Sequence, residues 1–173
     1  MSSFDPTIDA AFRESAELEL RCHYLLLEGK EDALEILAAE DRMTVLWEDL
    51  DEVQRRSLNG MGSDLNWVRR KGEQPPNGRK KPEDVTATEQ QGLAAAMRLK
   101  EWHKVLHYLR LCAPIIPIEK LADLRARAYD DVGLQSYARV FYEFAADLDP
   151  ANVDMGLKAL STAEPPSRWK DVQ

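Results

Sequence analysis

His103 and His107 stand four residues apart in LKEWHKVLHYLRLCAP, a spacing that brings two imidazoles to one face of a helix and is used by zinc sites. Metal chemistry needs more ligands than that, and no Glu follows His103 in an HExxH arrangement. The apolar stripe of the same segment is Val105, Leu106 and Leu109, which turns both histidines outward. A metal-dependent or acid/base enzyme built on His103, His107 and the acidic run Glu48, Asp49, Asp51 and Glu52 is therefore the lesser reading. Dense carboxylate runs are ordinarily solvated, and acid/base work needs pKa values split by burial. Cys22 and His23 are adjacent, and neighbours on a helix point in different directions, so they do not form a thiol and its base. Cys112 reads as a small buried apolar group. No Gly-rich phosphate loop, GxSxG elbow or CxxC pair occurs, so the sequence offers no catalytic residue, no metal ligand set and no cofactor site. The chain is expected not to be an enzyme.

Composition narrows the partners. At 173 residues with 44% hydrophobic and 31% charged side chains, the chain suits one soluble domain or a domain with a subdomain. A formal charge of −8 argues against nucleic acid as the primary partner, because phosphate binding draws on clustered Lys and Arg. With only Cys22 and Cys112 there is no disulfide framework, and a reducing compartment is the simpler expectation. The opening MSSFDPTIDAAF has neither a basic flank nor a continuous apolar stretch, and no window approaches the ~20 apolar residues of a membrane span. A cytoplasmic location without membrane association is expected.

The elements that must position any site are helical. Asp5-Pro6-Thr7 marks a helix start, and from Ile8 the chain runs to Glu28 without Pro or Gly, with Ala11, Ser15, Leu18 and Cys22 on one stripe. Gly29 closes this helix. A second helix is expected from about Glu31, carrying Ala33, Leu34, Leu37 and Ala38, so the first forty residues read as a helical hairpin. A third is expected over 43–58 with Leu46, Leu50 and Val53, stopping near Asn59-Gly60. Ser63-Asp64 then caps a short helix holding Leu65, Trp67 and Val68. RRKGEQPPNGRKKP, from Arg69 to Pro82, reads as a linker or long loop. Its six basic residues have no interleaved aromatic, which suits a solvated loop better than a base-stacking surface. Trp47, Trp67 and Trp102 read as core; Trp169, in the polar tail behind Pro165-Pro166, either folds back onto the helices or serves as an anchor for a partner, and folding back is the first reading.

From 119 to 152 the order of residue types is more specific. A first helix carries Ala126 and Tyr129, Gly133 makes the turn, a second helix carries Ala138, Tyr142 and Ala145, and Asp149-Pro150 ends it. Small residues let paired helices approach, aromatics fill the space between them, and proline stops the second helix. This order resembles the tetratricopeptide repeat (TPR). Such arrays recur at about 34 residues, and the Pro117 to Pro150 spacing falls one short of that. One departure is Arg125, where the family has a bulky apolar residue; Leu124 is expected to take that role. A looser unit precedes it over 86–118, with Ala96 where an aromatic is usual and Val105, Leu109 and Cys112 in place of the small-aromatic-small series. A capping helix is expected over 153–163.

The resemblance implies an all-α fold of antiparallel helical hairpins stacked as a short TPR-like right-handed superhelix, with an additional N-terminal helical subdomain. The expected organisation is 1–68 for that subdomain, 69–84 for the basic Pro/Gly-rich linker, 85–163 for the repeats and cap, and 164–173 for the tail. It also implies a concave groove lined by the first helix of each hairpin: Gln90, Ala94, Met97 and Arg98, then Lys120, Asp123, Arg127, Asp130 and Asp131. Clamps for a terminal carboxylate carry Lys and Asn there, whereas Asp123 and Arg127 stand at two such places. A groove of mixed charge with a Met and an Ala floor suits a helix or internal peptide. A non-catalytic interaction module or adaptor follows. The alternative is a self-associating structural protein whose groove takes the tail of a neighbouring copy.

Overall fold

The computed structural model describes residues 9–73, 81–151 and 158. Seven α-helices occur among them: α1 (Ala10–Leu27), α2 (Leu34–Trp47), α3 (Glu52–Arg69), α4 (Ala87–Leu99), α5 (Trp102–Cys112), α6 (Ile118–Asp131) and α7 (Gln135–Leu148), with short 3-10 turns at Pro82–Asp84 and Ala113–Ile115. No strand occurs among the described residues, so the fold is all-α. The chain divides into two compact units, 1–75 and 76–173. The expected helix start at Asp5-Pro6-Thr7, the centre of the basic segment, the tail and Trp169 lie outside the described residues. So does the expected capping helix, apart from Lys158, which is helical.

In unit 1, α2 and α3 both pack on α1. Asp9 accepts a hydrogen bond from the Phe12 amide at 2.8 Å and starts α1. Gly29, at φ +72°, lets Lys30 N–H reach the Leu25 carbonyl and so closes the helix. The buried stripe is not the expected Ala11, Leu18 and Cys22. It is Phe12, Ala16, Leu20 and His23, with Ser15 at its edge, displaced by one residue or roughly 100° of helix rotation. Phe12 and Leu20 carry more apolar area than Ala11 and Cys22, and the larger area takes the core.

The later helices of unit 1 differ further from expectation. On α2 the buried residues are Ile36, Ala39 and Leu46, while Leu34 and Leu37 are 79% and 56% exposed. Residues 43–47 belong to α2 rather than to a third helix. That helix begins later because Asp51 and Gln54 form a reciprocal capping box, each side chain meeting the other's backbone N–H at 2.8 Å. Val53, expected inward, is 58% exposed. α3 then runs through Asn59-Gly60 to Arg69 without a break. A helical glycine costs about 1 kcal/mol, whereas burying Met61, Leu65 and Trp67 in register returns roughly 1.5–3 kcal/mol each. Ser63 and Asp64 sit inside this helix and cap nothing.

In unit 2, α4 pairs with α5, α5 with α6, and α6 with α7. Thr86 and Glu89 form a capping box at the start of α4. Gly133, at φ +84°, turns the chain between α6 and α7, and Pro150 follows the end of α7. The α6/α7 core joins Ala122, Ala126 and Ala128 to Ala138, Phe141 and Ala145, all at most 2% exposed. Tyr129 stacks on Phe141 with ring centroids 5.1 Å apart. Leu124 and Arg125 are both buried. Trp67 is a core tryptophan, whereas Trp47 and Trp102 are half-exposed, each lying at the edge of the apolar stripe of its helix.

α4 ends without a glycine: Lys100 adopts φ +56° and ψ +34° so that Glu101 N–H can reach the Ala96 carbonyl. An L side chain is strained there. Lys100→Gly is expected to stabilise unit 2 by about 0.5–1 kcal/mol, seen as a higher urea midpoint at unchanged m-value.

Candidate functional site

None of the nine residues expected to line a groove is buried. On α4, Gln90, Ala94 and Arg98 are exposed and Met97 is half-exposed; on α6, Lys120, Arg127, Asp130 and Asp131 are exposed and Asp123 is half-exposed. Spacings of three, four and seven place each set on one face of its helix. The opposite face of α6 is Leu121, Ala122, Leu124, Arg125, Ala128 and Tyr129, all buried. α6 is thus sharply two-sided, and α5 packs on both α4 and α6.

The charges among the nine are balanced, with Arg98 of α4 and Lys120 and Arg127 of α6 against Asp123, Asp130 and Asp131 of α6. Arg127 Nε donates to Asp123 Oδ1 at 2.9 Å, an i,i+4 pair that pre-orients both groups. Tyr142 of α7 lies within their field. Burial pushes its phenol up to about 12, with Asp130 adding to the shift and Arg127 opposing it. It therefore stays a neutral hydroxyl at physiological pH, and the Lys158 ammonium lies 5.8 Å from its ring centroid.

His103 and His107 lie on α5, and Glu48, Asp49, Asp51 and Glu52 around the junction of α2 and α3. His103 and His107 are exposed, and no group of three His, Cys, Asp or Glu able to hold a metal occurs among the described residues. Partial burial and Arg110 lower the pKa of His107. The Cys22 thiol is pushed up by burial first, then by Glu40 and Glu19, the opposite of an activated thiolate. Glu48, Asp49, Asp51 and Glu52 are exposed; Asp51 is spent on its cap.

His23 is the titratable residue that adjacency to Cys22 concealed. It is fully buried, and Arg69 Nη1 lies 2.9 Å from its Nδ1. Arginine only donates, so Nδ1 accepts and the ring proton sits on Nε2, which is buried without a hydrogen-bond partner. Burial, and then the Arg69 charge, lower the pKa of His23 to about 4. The Glu19 carboxylate of α1 rests against Gly62 of α3, in space that a Cβ at that position would take. A glycine inside a helical pattern, here Gly62 two residues after Gly60, is the sequence sign of such an approach. Set against known proteins, the chain matches no protein-family model, no curated protein and no solved structure.

Proposed function

We propose that unit 2 is a non-catalytic interaction module, a short TPR-like right-handed superhelix of two hairpins whose α4 and α6 faces hold a peptide or helix of another protein. The observation that carries this is the two-sidedness of α6, with a closely packed alanine and aromatic face on α7 and a mixed-charge face left to solvent. Close small-residue packing gives a stiff support, and a stiff support lowers the ordering cost of binding. Met97 and Ala94 supply apolar contact; Arg98, Lys120, Arg127 and the three aspartates fix orientation more than affinity. Work in a reducing, cytoplasmic compartment fits the two free thiols.

The test is affinity capture with the wild-type chain beside a Met97→Glu, Arg127→Glu double variant, followed by titration of any purified partner. Both positions lie outside the core, so the variant is expected to keep its melting temperature and to lose roughly 2–4 kcal/mol of binding, or 30-fold or more. Equal affinity of the two proteins for the same partner would remove α4 and α6 as its seat. A captured partner displaced by a second copy of the chain itself would instead favour self-association.

A further inference from the structure

We infer that unit 1 docks a basic amphipathic helix of another protein on the outer face of α2. A surface helix ordinarily carries one apolar stripe, and α2 carries two. Its buried residues are Ile36, Ala39 and Leu46, and it packs on α1. At about 100° per residue, Leu34, Leu37, Ala38 and Val45 fall on the opposite side of the helix, inside an arc of roughly 100°. All four are exposed, the three larger ones by 79%, 56% and 59%. Apolar residues scattered over a surface need no explanation, whereas a row of them on one helix face marks a place of contact.

The row reaches from Leu34 to Val45, roughly 16 Å and three turns of helix. That is a length over which two helices can lie side by side. Ala38, inside the row, lets a second backbone come close, and Leu34, Leu37 and Val45 stand beside it as ridges for the grooves of a partner helix. The complementary surface is a helix with its own apolar row at spacings of three and four.

Charge decides which helix. Asp41 lies inside the apolar arc itself, and residues 31–49 hold four Glu and three Asp, all exposed, against one basic residue, Arg42. Arg42 is held by Glu14 of α1 at 2.7 and 3.1 Å, and Lys30, before the helix, by Glu28 at 2.7 Å, so neither offsets the acids of this face. A second copy of the chain would set one acidic face against another, and an anionic lipid surface would be repelled. A helix with Lys or Arg flanking its apolar row is complementary, and a cation meeting Asp41 would fix its register. This inference uses none of the α4 and α6 residues.

Fluorescence anisotropy of the labelled peptide LKKLLKLLKKLLKL, titrated with the full chain, tests it. Two controls accompany it, the same peptide with every Lys replaced by Glu and a scrambled order that forms no apolar row. The basic peptide should bind saturably, about tenfold or more tightly than either control, and less tightly as salt rises. Leu37→Gln with Val45→Gln removes the row with good helix formers and should weaken binding about tenfold. Both side chains are exposed, so the melting temperature should hold. Asp41→Lys leaves the row whole and should weaken binding by its charge alone. The Met97→Glu, Arg127→Glu variant should bind the peptide as the wild type does, which separates this face from that of unit 2. No saturable binding, equal binding of a control peptide, or full retention by the two α2 variants would overturn the proposal. So would a dimer in sedimentation, or binding to phosphatidylcholine vesicles, that the double glutamine variant abolishes, since either names a different occupant.

Discussion

Phe141→Ala is expected to cost unit 2 about 3–5 kcal/mol, a large share of the roughly 5–15 kcal/mol by which a small domain is stable. Phe141 is fully buried, and its ring lies at 10° to that of Tyr129 with centroids 5.1 Å apart. Ala138 and Ala145, three before and four after Phe141 on the same face of α7, have no side-chain length to extend into the space. The cavity therefore stays open, and an unrelaxed cavity is what puts an aromatic truncation at the upper end of its range. Phe141→Leu keeps most of the volume and loses the ring stack, so it should cost nearer 1–1.5 kcal/mol. Urea unfolding followed by far-ultraviolet circular dichroism measures both. A loss below about 1 kcal/mol for the alanine variant would mean that the two rings are not a packed pair. Because α6 carries the proposed peptide face on its other side, partner binding should fall with the same variant although no partner contact is removed.

The parts of this architecture legible in the sequence are those set by one strong local signal. Gly29 and Gly133 close turns because each must reach positive φ, and Ala126, Tyr129, Ala138 and Ala145 announce a close helix pair by alternating small and large side chains. Where two local signals compete, burial decides and sequence spacing alone misleads. On α2, Leu34 and Leu37 form as good an apolar stripe as Ile36, Ala39 and Leu46, yet only the second set is buried. At Asn59-Gly60 the turn signal yields to Met61, Leu65 and Trp67 on one continuous helix. The setting of His23 was illegible for a different reason. Its partner Arg69 lies 46 residues away, and no local pattern relates the two before the helices are packed.

His23 should make unit 1 sensitive to mild acid. Its pKa falls from 6.5 to about 4 on folding, so between those values the unfolded chain binds a proton that the folded chain refuses. Stability rises with pH wherever the unfolded state holds more protons. The contribution is therefore fully present above the unfolded value and is lost progressively as the pH falls toward about 4. The total is about 3 kcal/mol, taking 1.36 kcal/mol per pKa unit. Carboxylates also titrate in this window, so a non-ionising comparison is needed. His23→Gln retains an acceptor for Arg69 and removes the titration. At pH 7.5 the glutamine variant should be less stable than wild type, and by pH 4.5 that deficit should be erased or reversed; two parallel stability curves would show that His23 does not titrate as assigned. Nuclear magnetic resonance gives a direct check, since the His23 ring protons should not shift until the pH is well below the ordinary histidine value of 6.5. Arg69→Met separates the two causes. Burial is the larger and the Arg69 charge the smaller, so removing the guanidinium should leave most of the acid sensitivity in place.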